Sequence, residues 1–537
     1  VEAQSALPLI DRLPRADGRG AWLWALGLGF ISATGFQPLG LWPLALLAMG
    51  LFALMTASAS SWKRATWLGW LFGWAHFTFG NVWIADSFTH QAQMPAVLGW
   101  AAVPLLAIYL AVYPALAAGA ARALARTGAG WGFVLVFAGA WVIAEWLRSW
   151  VFTGYAWNPF AMVLLGEFSR PGLAALAPMA GTYALSGFAL FLSAAPLLLA
   201  LERRNRVMLL VIALTVLGMV WPAPAPREGT VRVTIAKPVI AQAALNDPRS
   251  FEANYQRLAD LSRRPDPAAT TPRLVLWPES GMADYLREGY PQRYYDTTTA
   301  MGSPQFARRR LGATVGVGSV LLTGATELEI GLGDEGTRRA VGARNVVTAL
   351  GANGDIIDSV AKSHLVPYGE YLPMRGLLEP LGLSRLVAGT IDYWPGPGAR
   401  TVDLGPLGKV SPQICYEIIF SGQVVDRADR PDFIVNPSSE GWFGPSGPPQ
   451  FMAQARMRAI EEGLPVLRAT NNGISAVIDA RGVVREHLER AEEGQIDAII
   501  PPAAAPTPFA RLGNLLSLFW AAGFLFAGVV AMRRQPR

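Results

Sequence analysis

Seven apolar segments, each near the ~20 residues needed to cross a bilayer as a helix, crowd the first 222 residues of this chain. An eighth closes it. They cover roughly 21–37, 41–57, 65–85, 96–120, 131–150, 180–201, 207–222 and 514–532. Fifteen of the 19 tryptophans precede residue 222, so the apolar character belongs to the ends and not to the whole. With 52% hydrophobic and 16% charged residues, the chain departs from the ~25% charge of soluble domains. The expectation is an eight-helix transmembrane bundle carrying one polar α/β insert. The boundaries read 1–222 for a membrane domain of seven helices, 223–512 for the insert, and 513–537 for the last helix and tail.

Arginine and lysine give the orientation. With the N-terminus cytoplasmic, thirteen basic residues fall on the cytoplasmic side: Arg12, Arg15, Arg19, Lys63, Arg64, Arg122, Arg126, Arg203, Arg204, Arg206, Arg533, Arg534 and Arg537. The opposite short loops hold only Arg148 and Arg170. Both termini are then cytoplasmic and residues 223–512 lie on the outer face. Residues 1–20 are polar with no small-residue cleavage pattern after them, which reads as a retained anchor. Gly69 and Gly73 form a GxxxG, a sign of close helix packing. The aromatic stretch 151–160, broken by Gly and Pro, suggests a re-entrant or interfacial segment. Glu145 and Arg148 before it suit either a helix-end pair or a site near a lipid headgroup. The net charge of +6 comes without a long basic run, so nucleic acid is not indicated as a partner.

The insert alternates strand and helix, as a layered α/β domain does. Strands are expected at Val231–Ile240, Leu274–Glu279, Val315–Thr323, Val410–Ile419, Asp432–Val435, Val466–Thr470 and Ser475–Ala480. A hairpin is expected over Arg344–Val360 and a helix over Phe451–Glu462. Residues 373–398 read as a long arm. Its leucines and valine (377, 378, 381, 383, 386 and 387) favour a lid touching the bilayer over a short packed helix. No GxGxxG or P-loop occurs, and the four histidines lack ligand spacing. Neither a nucleotide cofactor nor a metal is indicated, and one cysteine excludes an intrachain disulfide.

That cysteine, Cys415, stands in Ile-Cys-Tyr-Glu at the end of an expected strand. A lone cysteine is ordinarily a small buried apolar residue. It becomes a nucleophile only with a base and a positive or hydrogen-bonding environment. Glu279 in Trp-Pro-Glu-Ser could supply the base. Lys362, in Lys-Ser-His-Leu-Val-Pro-Tyr-Gly-Glu, could supply the charge that steadies an oxyanion. Spacing alone does not bring the three together.

These motifs resemble those of the nitrilase, or carbon–nitrogen hydrolase, superfamily. Further segments extend the likeness nearly end to end: Glu145-Trp-Leu-Arg148, Trp442-Phe-Gly444, Ala455-Arg-Met-Arg-Ala459, Thr470-Asn-Asn-Gly473 and Thr507-Pro-Phe-Ala-Arg511. The whole chain resembles the bacterial apolipoprotein N-acyltransferase family, the membrane-embedded branch of that superfamily. The resemblance implies a four-layer α-β-β-α sandwich, a Glu279–Lys362–Cys415 triad, and Glu370, Tyr416 and Glu417 as supporting residues. It also implies acyl transfer from a phospholipid, typically phosphatidylethanolamine, to the N-terminal diacylglyceryl-cysteine of an apolipoprotein, at the outer face of a bacterial inner membrane. The chain departs from the family at Ser438-Ser-Glu-Gly441, where Ser-Asn-Asp is usual. It departs again at Gln37, and at Lys237–Asn246, which lacks a tryptophan. The alternatives are a membrane-tethered amidase with a small outer-face substrate, a ligand-binding transporter, and an inactive paralogue.

Overall fold

A computed structural model describes residues 15–90, 95–125, 130–264, 270–332, 336–381 and 391–534. Arg12, Arg126 and Arg537, and the arm residues Leu383, Leu386 and Val387, lie outside the described residues. The chain divides into two units, one of Val1–Ala85, Val97–Ala223 and Pro506–Arg537, the other of Asp86–Ala96 and Pro224–Ala505.

Among the described residues of the first unit four helices are long and apolar enough to cross a membrane: Leu98–Leu124, Trp131–Arg148, Leu173–Leu201 and Asn514–Arg534. Ala21–Ala33, Trp42–Ala57 and Asn205–Val220 are apolar but shorter. A 13-residue helix rises only ~20 Å, short of the ~30 Å hydrocarbon core. The eight spans expected from hydropathy are therefore not all met by length. Several helices show apolar side chains to their surroundings, with Leu209 60% and Phe526 73% exposed. Gly69 and Gly73 do serve close packing. A Cβ on Gly69 would stand 2.8 Å from the Pro114 carbonyl oxygen, and one on Gly73 3.0 Å from Ala111 Cα.

Glu145 and Arg148 are both buried. Arg148 Nη1 donates to the carbonyls of Tyr155 (2.9 Å) and Trp157 (2.8 Å). Glu145 Oε1 accepts from the Phe160 amide at 2.8 Å and from Trp141 Nε1 at 2.9 Å. The pair thus satisfies the backbone of the broken aromatic stretch, whose Trp157 and Phe160 are buried. Irregular backbone inside an apolar unit needs such partners, because unpaired peptide groups there are costly.

The second unit holds two six-stranded sheets. The first contains β1 (Arg232–Lys237), β2 (Arg273–Leu276), β3 (Val320–Leu332), β4 (Arg338–Gly351), β5 (Ile356–Ala361) and β12 (Gly494–Ile499), in the order β12-β1-β2-β3-β4-β5. The second contains β6 (Val402–Asp403), β7 (Lys409–Pro412), β8 (Phe433–Ser438), β9 (Val466–Thr470), β10 (Ser475–Ile478) and β11 (Val484–Leu488), in the order β11-β10-β9-β8-β7-β6. Each sheet has a parallel core, β1-β2-β3 or β7-β8-β9, flanked by antiparallel strands. Parallel strands are covered on both faces, and β2, β8 and β9 are buried throughout. Helices Phe251–Asp260 and Pro304–Val315 cover the first sheet through Leu258 and Leu311, against Val275, Trp277 and Leu321. Gly447–Glu462 packs on β9.

Two expected strands differ. Val315 ends the helix Pro304–Val315, and the strand begins at Val320 and runs on to Leu332. Strand β7 stops at Pro412, and Cys415–Ile419 is a turn of 3₁₀ helix. The β-branched Ile418 and Ile419 favour a strand locally. Glu417 overrides them, because its carboxylate Oε2 accepts from the Ile414 amide at 2.8 Å and closes the turn.

Candidate active site

Glu279 follows β2, Lys362 follows β5, and Cys415 follows β7 by three residues. Ser438 ends β8, and Asn471 follows β9. These groups all leave the carboxyl ends of strands, where open α/β sheets place their ligands. Gly324 on β3 permits the approach of the Glu279 backbone, since a Cβ there would stand 2.8 Å from Glu279 Cα.

The structure brings Glu279, Lys362 and Glu370 into one buried ion cluster. Lys362 Nζ lies 3.0 Å from Glu370 Oε1 and 3.4 Å from Glu279 Oε1. Asn345 Nδ2 donates to both carboxylates, at 2.7 Å to Glu279 Oε1 and 3.1 Å to Glu370 Oε1. The remaining oxygens take backbone amides, Ser439 N to Glu279 Oε2 at 2.9 Å and Val366 N to Glu370 Oε2 at 2.8 Å. Burial opposes the charge on Lys362, but Glu279, Glu370 and Cys415 outweigh it and hold the ammonium protonated well above the usual lysine value.

Cys415 is 6% exposed and adopts φ +49°, in the left-handed region that non-glycine residues seldom enter. Ser280, next to Glu279, and Tyr368, between Lys362 and Glu370, also have positive φ. Such strain gathers at functional sites, where the surroundings over-determine it. Burial first, then the Glu279 charge, pushes the Cys415 thiol up, while Lys362 and a 3.3 Å hydrogen bond from Ser438 Oγ act in the opposite sense. The resting group is a thiol that needs a base.

Glu417 joins the elbow to the segment after Lys362. Besides Ile414 N, its carboxylate accepts from Ser363 N (2.7 Å), Ser363 Oγ (2.7 Å) and His364 N (3.2 Å). The ring of Tyr416 meets Phe420 edge-on with centroids 5.2 Å apart, and His364 stacks on the same phenylalanine at 4.2 Å. The six residues read from sequence thus fall into three groups: the ion cluster, the elbow and the strut between them. Of the arm, Met374 and Leu377 are exposed. Its return is tied down where Trp394 N donates to Ala343 O (2.7 Å) and Gly396 N to Lys362 O (2.7 Å).

Sequence reasoning missed Asn345, Asn436, Ser438, Arg468 and Asn471 as parts of the site. Asn471 Nδ2 donates to the Glu279 carbonyl at 2.6 Å. A signal existed for two of them. Asparagine is depleted in strands, yet Asn345 sits in a Val-rich one and Asn436 in Phe-Ile-Val-Asn-Pro-Ser.

The second unit, with Glu279 and Lys362 paired at strand ends and Cys415 following a third strand, is of the carbon–nitrogen hydrolase class. Residues 239–506 match the family described as carbon-nitrogen hydrolase, and residues 28–195 match the apolipoprotein N-acyltransferase N-terminal domain. A protein from Allorhizobium ampelinum named apolipoprotein N-acyltransferase is 32% identical, with 95% of each chain covered. One of the same name from Caulobacter vibrioides is 33% identical over 95% of this chain and 94% of the other. Among solved structures, an amidase from Nesterenkonia sp. aligns with 17% identity and a TM-score of 0.34, covering 52% of this chain and 93% of that one. The chain belongs to the apolipoprotein N-acyltransferase family.

Proposed function

We propose that the chain transfers a fatty acyl group from a phospholipid to the α-amine of an apolipoprotein's N-terminal diacylglyceryl-cysteine, through a thioester on Cys415. The observation that carries this reading is the buried cluster of Glu279, Lys362 and Glu370, in which the Glu279 and Lys362 charges act on the Cys415 thiol and Glu370 acts on Lys362. Glu279 takes the proton from Sγ as the sulfur attacks the ester carbonyl. The oxyanion that forms is steadied by the Lys362 ammonium. The C–O bond to the glycerol then breaks, and the proton returns from Glu279 to the lysophospholipid. In the second half, the amine attacks the thioester and gives up a proton to Glu279. The C–S bond breaks, the new amide leaves, and the proton returns to Sγ. Glu370 and Glu417 act through others, the first by sharing the charge of Lys362 and the second by fixing the elbow, while Tyr416 packs beside the nucleophile.

Phosphatidylethanolamine is the donor we favour. The bundle reads as eight spans, 1–222 and 513–537 in the membrane and 223–512 outside. Both termini are cytoplasmic and the enzyme sits in a bacterial inner membrane. The exposed apolar arm residues Met374 and Leu377 suit a site fed from the lipid surface.

The test is intact-protein mass spectrometry after incubation with phospholipid alone. A fatty-acyl mass is expected on the peptide holding Cys415, and it is lost in Cys415→Ala and Cys415→Ser. An unacylated wild-type Cys415 in a protein that instead hydrolyses a small amide would overturn the reading in favour of an amidase.

A further inference from the structure

The elbow at Cys415 is held from behind by a buried network that the reaction itself does not use. Asn436 and Ser438 alternate on β8 and so face the same way. Ser438 reaches Cys415 Sγ, while Asn436 Nδ2 donates to the carbonyls of Gln413 (2.7 Å) and Cys415 (3.2 Å). One amide thereby clamps both ends of the bend between β7 and the 3₁₀ turn. Directly across on β9, in register with Asn436, stands Arg468. It is fully buried, and its Nη1 donates to Asn436 Oδ1 at 2.5 Å. Its Nε donates to Ile474 O at 3.1 Å, its Nη2 pairs with Glu440, and its guanidinium lies 4.6 Å over the Phe451 ring.

A guanidinium only donates. It therefore selects the orientation of the Asn436 side chain, with Oδ1 toward Arg468 and Nδ2 toward the elbow. A buried arginine needs a counter-charge, and Glu440, also fully buried, is that partner. This gives the longer acid at 440 a task. The acid fits because residue 473 is glycine, where a Cβ would stand 2.0 Å from Glu440 Oε2.

We infer that Asn436 and Arg468 are positioning residues for Cys415: Arg468, balanced by Glu440, locks the Asn436 amide so that it holds the Cys415 carbonyl and fixes the left-handed elbow. This rests on the reading of Cys415 as the nucleophile. The unique cysteine allows a test that does not depend on the substrate. The full chain in detergent is treated with iodoacetamide across a range of pH, and the mass of Cys415 adducts is followed, alongside kcat and KM for acyl transfer.

Asn436→Asp keeps the shape and the acceptor for Arg468 but loses both donations and sets oxygen against oxygen at the elbow. It is expected to shift the pH profile of alkylation and to lower kcat about tenfold or more while KM changes little. Arg468→Lys, which keeps the charge and loses the fork, should move both readouts in the same direction by less. Arg456 is an equally buried arginine that donates to Gly482 O at 2.7 Å. Arg456→Lys should lower the melting temperature and leave the alkylation profile in place. The inference fails if Asn436→Asp and Arg468→Lys alkylate and turn over as wild type does. It fails equally if Arg456→Lys shifts the profile as far as they do, because general packing would then explain the effect. Absence of acylation on wild-type Cys415 would sink the acyltransferase reading alone, since alkylation still decides the role of Asn436 and Arg468.

Discussion

Among the clusters of buried carboxylates and cations in the second unit, two differ in how their carboxylate oxygens are bonded. At the site, both oxygens of Glu279 and both of Glu370 accept hydrogen bonds, with Asn345 and Lys362 shared between them. At the end of the helix Gly447–Glu462, Glu461 pairs with Arg458 at 2.8 Å and with Ser421 at 2.8 Å. Glu462, beside it, has neither carboxylate oxygen paired among the described residues. Burial and the Glu461 charge push Glu462 up to about 7, against the weaker pull of Arg430, Arg427 and Arg458. The difference shows what it takes to keep charge inside a protein. A buried carboxylate left unpaired escapes the desolvation cost by taking up a proton.

The largest way to break the satisfied cluster is Glu279→Gln. The amide cannot accept a proton from Cys415, and its NH₂ would face the Ser439 N–H or the Lys362 and Asn345 donors. We expect acylation of Cys415 to fall by about 10²–10⁴-fold, the usual worth of a general base, while Glu370 still balances Lys362 and preserves the fold. The measurement is the rate at which the acyl-protein mass appears. A fall of less than about threefold would remove Glu279 from proton transfer.

Glu279, Lys362 and Cys415 stand out in the sequence as polar groups at the ends of apolar stretches, but only the family resemblance proposes them as a set. What held them was not legible. Arg468 and Asn436 meet only because β8 and β9 pair in one register, which no local pattern states. Arg456, Arg458, Glu461 and Glu462 look like the charged face of a solvated helix, yet all four are buried. The bend at Cys415 was hidden by its isoleucines, because the cause lies in a side-chain bond from Glu417 back to Ile414. In the first unit, hydropathy found the apolar segments but not the lengths of their helices. Turns cut Ala21–Ala33 and Trp42–Ala57 short.

Glu417→Gln probes the strut between the two halves of the site. Its carboxylate faces four donors, three of them backbone amides. A glutamine must turn its NH₂ toward Ile414 N on one side or Ser363 on the other. Each buried donor left unpaired costs ~1–3 kcal/mol. We expect turnover to drop by about ten- to a hundredfold together with a lowered melting temperature, which separates a strut from a proton carrier. Lost activity at an unchanged melting temperature would instead assign Glu417 to the chemistry.

The smallest effect on turnover falls on the unsatisfied cluster, where the substitution stabilises instead of destabilising. A carboxyl near 4.3 in the unfolded chain and raised to about 7 in the folded one favours the folded state while both forms hold the proton. As pH rises past the unfolded value, the unfolded chain releases its proton and the folded one does not. Stability therefore declines across roughly pH 4–7, by at most about 4 kcal/mol, and stays low above it. Glu462→Gln removes that slope, so the variant should match wild type near pH 4 and unfold at a higher temperature near pH 8, with acyl transfer unchanged. The check is the melting temperature of both proteins across that range. A variant less stable than wild type at pH 8 would mean that Glu462 is ionised and paired, and the contrast between the two clusters would be lost.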